Sequence, residues 1–326
     1  MKSKLLLLVS FMAMAATCGH PAGLQKLPWN NERATADLKV FAEAPHPMGS
    51  PRMLWLSDYL EKQMQNEGLT TGRDKWIVQV PDPDLLGQEA NPMRSITLPI
   101  DLQNIYAKSQ AGSDSCAFLI ASHYDSKRLL QGAGIGANDS GSSSVALLEI
   151  MRGIRTLGKN IVLKCHVVAV WFDGEEAYLP EWRDGEIHHP ARTVDNTYGS
   201  RHLAESLSPC GKGLCLPKNW GGERVEGLIL LDMVGMPDLR LTPELHSDAK
   251  MRDLALALDQ ELFQDQLFSR SSPKSVEDDH IAFLEKGIPS LDLIGFEDLD
   301  TWHQPTDTFE RVSMESIEKS AQLTAA

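Results

Sequence analysis

The sequence predicts an α/β fold, a three-layer sandwich whose central sheet is mixed but mostly parallel. Short apolar strands alternate with helical segments along most of the chain, as they do in sheets that carry helices on both faces. The composition is that of a globular protein, with 42% apolar and 23% charged residues among 326. No internal repeat and no Gly/Ser-rich linker divides the chain, so a single domain over residues 18–326 is predicted.

The helices and strands are predicted in order from the spacing of apolar residues and from the Gly and Pro residues that interrupt them. Residues 52–67 have helical apolar spacing that stops at Gly68, and residues 76–80 and 96–107 alternate as strands. The later strands are predicted at 117–122, 161–172, 228–231 and 290–294, and the later helices at 140–157, 198–207, 249–263, 281–286 and 314–323. Residues 180–197 and 208–222 are predicted to be irregular and are too long to be passive connections.

The amino terminus is typical of a secretory signal peptide, predicted at residues 1–17. Lys2 and Lys4 precede an apolar run over residues 5–16, which ends in small residues. A membrane-spanning helix needs about 20 apolar residues, and no stretch of the sequence reaches that length. The protein is therefore expected to be secreted or periplasmic, without a membrane span. Lipid attachment at Cys18 is the alternative that the sequence leaves open.

The charge balance restricts the partners of the protein. Lys and Arg total 31 against 45 Asp and Glu, a net charge of −14. A chain this acidic lacks the basic surface that nucleic-acid binding requires. The same field favours cationic partners, among them the N-terminal amines of peptides.

The cysteines do not indicate a metal knuckle or a nucleophile. Cys210 and Cys215 flank a flexible loop and could close a small disulfide ring in an oxidising compartment. Cys116 and Cys165 lie in apolar segments, where we expect them to be buried as small apolar side chains. No Cys-x-x-Cys pair occurs.

Polar residues follow the predicted strands where each strand ends. Ligands of α/β sheets bind at the carboxyl ends of the strands, and carboxylate oxygen with imidazole nitrogen suits zinc. The residues at these positions are His123, Asp139, Glu175, Glu176, Asp232 and His303.

Each of these residues also has an ordinary structural interpretation. A lone Asp139 before a helix is usually a cap, paired glutamates are usually surface charges, and a histidine near a turn is usually structural. All of these interpretations would have to hold at one sheet edge, so a metal site is favoured. One of the two glutamates can then bind metal while its neighbour transfers protons, and Asp125 can orient the His123 ring.

The chain from about residue 47 to its end resembles the glutaminyl-peptide cyclotransferases within the zinc aminopeptidase-like superfamily. The motifs that carry the resemblance are His-Tyr-Asp-Ser-Lys at 123–127, Phe-Asp-Gly-Glu-Glu-Ala-Tyr at 172–178, Tyr-Gly-Ser-Arg-His at 198–202, Leu-Leu-Asp-Met-Val-Gly at 230–235, Asp-Asp-His at 278–280 and Trp-His at 302–303. The resemblance implies the zinc aminopeptidase-like fold. It also implies conversion of an N-terminal glutamine of peptides to pyroglutamate with release of ammonia.

The resemblance also implies the roles of individual residues. One zinc is expected on three ligands, and Glu175 is expected to be the general acid and base. The three zinc ligands are Asp139, Glu176 and His303; Asp232 and Asp278 join the hydrogen-bond network around the attacking amine, and Trp302 and Trp182 wall the glutamine pocket. Asp125 and Asp292 are expected to support these residues without binding the metal.

Several positions depart from animal members of the family. Asp292 stands where they carry a histidine, and Glu277 replaces a glutamine beside Asp278. Ser122 and Ser144 stand where they carry a disulfide pair.

Two alternatives stay open at this point. A two-zinc aminopeptidase would use His123 and Asp232 for its second metal, with Asp139 bridging. A non-catalytic binding domain ranks lower, because such a domain would be expected to lose ligands. The sequence makes no prediction of the oligomeric state.

Overall fold

A computed structural model describes residues 26–82, 97–112, 115–161, 163–182, 184–185 and 195–326. The predicted signal peptide and Cys18 lie outside these ranges. Within them, no helix combines the length and the apolar character needed to cross a membrane.

The helices and strands alternate as expected over most of the chain. The helices of the described residues are α1 (Asn31–Phe41), α2 (Pro51–Asn66), α3 (Ser143–Leu157), α4 (Tyr198–Ser206), α5 (Ala249–Phe263), α6 (His280–Leu284) and α7 (Met314–Ala325). The strands are β1 (Thr70–Pro81), β2 (Thr97–Lys108), β3 (Cys116–His123), β4 (His166–Phe172), β5 (Ser208–Cys210), β6 (Gly213–Cys215), β7 (Arg224–Asp232) and β8 (Ser290–Ile294). The β5–β6 hairpin lies in a stretch that the sequence predicts to be irregular.

The strands form one mixed sheet, which confirms the predicted fold class. Its order is β1-β2-β4-β3-β7-β6-β5, and β8 also pairs with β7. Parallel pairing is confined to the centre, where β4, β3, β7 and β8 lie side by side. The long β1–β2 pair and the short β5–β6 hairpin add antiparallel edges. The carboxyl ends of the four central strands therefore meet at one edge.

Helices cover both faces of the sheet and complete the three layers. Residues of β4 alternate between the two cores: Val167, Ala169 and Trp171 pack with α1, α2, α3, α5 and α7. Val168, Val170 and Phe172 face the opposite way, toward α4 and α6. Because β4 is buried along its whole length, its apolar run is continuous, as expected for a central parallel strand.

The first helix, α1, was not predicted from the sequence. Its residues are too polar to show a clear apolar stripe, although Asn30 caps it by accepting from the Arg33 backbone N–H at 3.0 Å. Arg152 of α3, fully buried, pairs with Asp37 of α1. Arg33 pairs with the buried Glu149 at 2.7 Å. These tertiary ion pairs, which sequence spacing does not reveal, fasten α1 to α3.

Two disulfides are present, and one corrects an expectation. Cys116 and Cys165 were expected to be buried free thiols, but they are joined, as are Cys210 and Cys215. The parallel pairing of β3 with β4 sets Ala117 beside His166, which brings the residues just before them together across 49 positions of sequence. Disulfides of this kind are typical of proteins that fold in oxidising compartments.

Candidate metal centre and adjoining pocket

The carboxyl edge of the parallel strands carries the predicted polar residues. His123 is the last residue of β3, Asp232 is the last residue of β7, and the two glutamates lie on the turn after β4, separated from its end by two residues. Asp139 lies in a one-turn π-helix, Ala137–Ser142, which leads into α3. All of these side chains are buried or nearly so, although four of them are carboxylates. Buried carboxylates require partners; His123 contacts Asp139 and Asp232, and His303 contacts Asp139 and Glu176.

Asp139, Glu176 and His303 form the first group that could hold a metal ion. His303 Nε2 lies 3.0 Å from Glu176 Oε1 and 3.5 Å from Asp139 Oδ2. Two ligand atoms about 2.1 Å from a tetrahedral zinc ion lie roughly 3.4 Å apart, so these separations fit a shared ion. Glu176 Oε2 is buried and receives no hydrogen bond from the residues that the structure describes. The donor set, two carboxylates and one imidazole, is one that zinc accepts.

His123, Asp139 and Asp232 form a second group of the same kind. His123 Nε2 lies 3.1 Å from Asp139 Oδ1 and 3.2 Å from Asp232 Oδ1. Asp139 therefore belongs to both groups, one carboxylate oxygen facing each. This arrangement has the ligand types and spacing for one ion, or for two ions bridged by Asp139.

Burial and neighbouring charges shift the pKa values of Asp139 and Glu176, the two carboxylates of the first metal group. Burial, with the charge of Glu176, raises the pKa of Asp139 to about 6. Burial alone would also raise the pKa of Glu176, but attraction to His303 and Lys127 lowers it to about 2. Lys127 Nζ lies 3.6 Å from Glu176 Oε2. Glu176 is thus held as a carboxylate, the form that binds metal.

Asp125 ties β3 to the turn that carries the two glutamates. Its carboxylate oxygens accept from the backbone N–H groups of Glu175 and Glu176, each at 3.1 Å. Oδ1 also lies 3.3 Å from His123 Nδ1. The turn itself needs Gly174, whose φ of +71° is in the left-handed region that glycine adopts readily. Asp125 therefore orients both the imidazole and the glutamate pair, the supporting position predicted for it.

Asp307 supports Asp139 and was missed from the sequence. Its carboxylate accepts from the Asn138 and Asp139 backbone N–H groups at 2.8 and 3.1 Å. Asn138 Oδ1 in turn accepts from the Gly235 backbone N–H at 2.8 Å. Asp307 is separated from Asp139 by 168 residues. It lies shortly after His303, and no sequence motif marks it as a partner of Asp139.

Ser122 and Ser144, which the resemblance predicts to stand at the positions of a disulfide pair in animal members, lie close together at the end of β3. Ser122 and Ser144 both donate hydroxyl hydrogen bonds to the His123 carbonyl, at 2.8 and 2.9 Å. They link the end of β3 to α3 without a covalent bond.

A pocket of about 160 Å³ opens beside the metal groups. Glu175, 8% exposed, lines it together with Asp139, Asp232 and Asp278. Asn196 Nδ2 lies 3.3 Å from Glu175 Oε1. Burial, and then the charge of Glu176, raises the pKa of Glu175 well above its ordinary value. A carboxyl group in this setting is suited to accept and return a proton.

Aromatic rings form the wall of the pocket. Trp302 and Trp182 each stack with the His303 ring, at ring-centroid distances of 4.2 and 5.4 Å. Phe296 meets Trp302 edge to face at 5.4 Å. Lys127 Nζ lies 4.0 Å from the Trp182 ring centroid, a cation–π contact that reaches the pocket wall from the buried side. Both tryptophans line this pocket, and their role in holding a glutamine side chain stays a prediction.

A buried polar layer extends from the pocket residue Asp278 into the protein. Asp278, His280 and Asp292 bring ligand-type atoms within 4.8 Å of one another, and His280 Nε2 lies 3.2 Å from Glu244 Oε2. Burial, with nearby carboxylates, raises the pKa values of Asp278 and Asp292 well above their ordinary value. Burial alone would raise the pKa of Glu244, but hydrogen bonds from His280 and backbone N–H groups lower it to about 2. Asp292 supports the pocket from behind and does not line it.

A family model for peptidase family M28 matches residues 104–326, which span β2 to α7 and every residue of the two metal groups. The chain belongs to peptidase family M28.

Curated and solved relatives of this M28 protein extend the match. A glutaminyl-peptide cyclotransferase-like protein of Mus musculus is 27% identical over 298 residues, 86% of this chain and 70% of the relative. The crystal structure of an Acidobacteriales bacterium glutaminyl cyclase is 22% identical, with a TM-score of 0.69 over 94% of this chain and 96% of the other. That of a leucine aminopeptidase precursor from Bacteroides thetaiotaomicron is 17% identical, with a TM-score of 0.72 over 93% and 97%. The resemblance found in the sequence is confirmed.

Proposed function

We propose that this M28 protein is a zinc-dependent glutaminyl-peptide cyclotransferase, which converts an N-terminal glutamine to pyroglutamate and releases ammonia. The observation that carries the proposal is the position of Glu175. It lines an aromatic-walled pocket beside the Asp139, Glu176 and His303 group without belonging to that group. Relatives named as glutaminyl-peptide cyclotransferases, such as that of Drosophila melanogaster at 28% identity over 58% of this chain, support it.

Asp139, Glu176 and His303 would hold the zinc ion. When bound there, zinc supplies Lewis-acid polarisation of the side-chain amide carbonyl of the substrate glutamine. Asp139 and His303 of this group line the pocket, so an ion held there would adjoin the space that the substrate occupies. Catalytic zinc sites keep one coordination position open for such a ligand.

The protein residues then position the substrate and move its protons. The α-amine of the substrate attacks the side-chain amide carbon, forming the nitrogen–carbon bond of the lactam ring. Glu175 accepts a proton from that amine, and it returns one to the departing nitrogen as the original carbon–nitrogen bond breaks. Asp232 and Asp278, which line the same pocket, accept hydrogen bonds from the amine and hold it for attack. The nucleophile belongs to the substrate, so proximity provides much of the rate enhancement.

A two-zinc aminopeptidase is the second candidate, and a specific observation favours it. The His123, Asp139 and Asp232 group has ligand separations of 3.1 and 3.2 Å and shares Asp139 with the first group. A second ion there would supply a bound water as nucleophile for hydrolysis. The number of bound ions therefore discriminates between the candidates.

The experiment that tests the proposal measures ammonia release from a peptide with an N-terminal glutamine. The protein is assayed as purified, after treatment with a chelator and after addition of zinc, and the zinc content per chain is measured in parallel. Chelator-sensitive ammonia release at one zinc per chain is expected. Release of leucine from leucyl substrates at two zincs per chain, without ammonia from glutaminyl peptides, would establish the aminopeptidase instead.

We also propose that the protein acts outside the cytoplasm on exported peptides. The two disulfides, Cys116–Cys165 and Cys210–Cys215, support an oxidising compartment, and the signal peptide expected at residues 1–17 agrees with it. Mass spectrometry of the exported protein tests this, since cleavage after residue 17 would give an amino terminus at Cys18.

A further inference from the structure

The mouth of the pocket is acidic on the segments that form it. Glu277 lines the pocket and is exposed. Glu181 directly precedes the pocket residue Trp182, and Asp298 and Asp300 lie on the loop that joins Phe296 to Trp302; all three are exposed. These four carboxylates, Glu181, Glu277, Asp298 and Asp300, are called the acidic rim below.

Among the described residues, the segments that carry the acidic rim hold a single basic side chain. On the described segments 181–182, 274–277 and 296–302, Lys274 is the one Lys or Arg. Lys274 Nζ donates to the Phe296 carbonyl at 2.7 Å and lies 3.3 Å from Glu297 Oε2. Lys274 therefore neutralises Glu297 and leaves the rim unbalanced.

The pocket itself holds an unsatisfied polar atom next to Glu277. Asp278 lines the pocket and is 4% exposed, and its Oδ2 atom has no hydrogen-bond partner in the part of the chain that the structure describes. A buried polar atom of this kind requires a hydrogen-bonding ligand. Clefts lined by one sign of charge concentrate ligands of the opposite sign.

We propose that the pocket selects glutaminyl peptides that carry Lys or Arg directly after the N-terminal glutamine, with Glu277 as a specificity-determining residue. The inference rests on the proposed cyclotransferase function and names its substrate class. With the glutamine side chain in the pocket, an extended peptide advances about 3.3 Å per residue, so its second and third residues leave through the rim. Lys or Arg side chains at these peptide positions are attracted by the exposed carboxylates of the acidic rim, whereas Asp or Glu side chains are repelled by them.

The test compares three peptides that differ only after the glutamine: Gln-Lys-Lys, Gln-Ala-Ala and Gln-Glu-Glu. We expect kcat/KM for the lysine peptide to exceed that for the glutamate peptide about tenfold at low salt, since each exposed ion pair contributes up to about fivefold. The ratio is expected to approach one near 1 M salt, where the Debye length falls to about 3 Å.

Two variants locate the effect. Glu277→Gln is expected to lower the lysine-to-glutamate ratio about threefold at low salt. Asp253→Asn makes the same change in net charge on α5, away from the pocket, and is expected to leave the ratio unchanged. A ratio near one in the unmodified protein, a ratio insensitive to salt, or an equal response to both variants would overturn the proposal.

Failure of the proposed function would be visible separately. If Gln-Ala-Ala releases no ammonia, the cyclotransferase assignment fails, and calorimetric binding of the same peptides then tests the charge preference alone. Tighter binding of the lysine peptide that weakens in Glu277→Gln would support the rim as the selecting surface. Equal binding of all three peptides would reject it.

Discussion

The adjacent glutamates offer the sharpest test of the site, because the same substitution at neighbouring positions is expected to have different consequences. Glu175→Gln keeps the size and shape of the side chain. It also keeps the backbone N–H that donates to Asp125 at 3.1 Å, and residue 175 belongs to neither metal group. Zinc should therefore stay bound while the proton acceptor is lost.

The magnitude follows from the role assigned to each residue. General acid–base catalysis contributes about 10²- to 10⁴-fold, so kcat for Glu175→Gln should fall by that factor, about 3 to 5 kcal/mol in activation free energy. Glu176→Gln removes a ligand atom that lies 3.0 Å from His303 Nε2. Its zinc affinity should fall by more than the roughly 10- to 100-fold that loss of an outer-shell partner costs.

The assay combines ammonia release from a glutaminyl peptide with zinc content after dialysis. The expected pattern is an inactive Glu175→Gln variant with unmodified zinc content and a Glu176→Gln variant that has lost zinc. Circular dichroism of both proteins controls for folding. Activity of Glu175→Gln within tenfold of the unmodified protein, or loss of its zinc, would refute the separation of roles.

Three further results are expected. Cys116→Ser removes the disulfide that closes the longer loop and should lower the free energy of unfolding by about 4 kcal/mol. Cys210→Ser opens the shorter loop and should lower it by about 2 kcal/mol. Urea titrations under oxidising conditions measure both values, and equal losses would contradict the loop-entropy reasoning. Because the pKa of Glu244 is lowered to about 2 in the folded protein, its bond to His280 stabilises the fold above the unfolded pKa of about 4.5 and is lost as pH falls toward 2. Glu244→Gln should therefore be less stable than the unmodified protein at pH 6, by about 1 to 3 kcal/mol, with a smaller difference at pH 3, and a difference independent of pH would argue against this. Asp125→Asn places an amide N–H against a backbone N–H or the His123 ring and should reduce zinc affinity about 10- to 100-fold, which titration with a zinc indicator measures; unchanged affinity would show that Asp125 does not orient the ligands.

Elements with strong local signals could be predicted closely. α5 and β8 have the bounds that apolar spacing predicts, because Asp248 caps the helix by accepting from the Lys250 and Met251 N–H groups and β8 is a compact apolar run. α3 was predicted to begin at residue 140 but begins at Ser143. The preceding turn is held by Asp307, a contact from far along the chain that local propensity does not contain.

The resemblance was confirmed at the level of family and fold, and the individual roles stay predictions. The structure brings together Asp139, Glu176 and His303, which are separated by up to 164 positions, as the sequence argument required. It places Asp292 behind the pocket, against His280 at 3.9 Å. Lys127 is the last residue of the motif at 123–127, and its contacts with both Glu176 and Trp182 were not predicted from the sequence.

The sequence by itself determined the types of ligand, their order along the chain and the strand ends at which they stand, because hydrophobic periodicity and turn residues act between near neighbours. The tertiary structure decided which oxygen faces which imidazole, how Asp139 divides between two groups, and that Cys116 meets Cys165. These outcomes depend on the register of parallel strands whose partners are distant in sequence, and a difference of about 1 Å in that packing changes whether a metal ion can be shared.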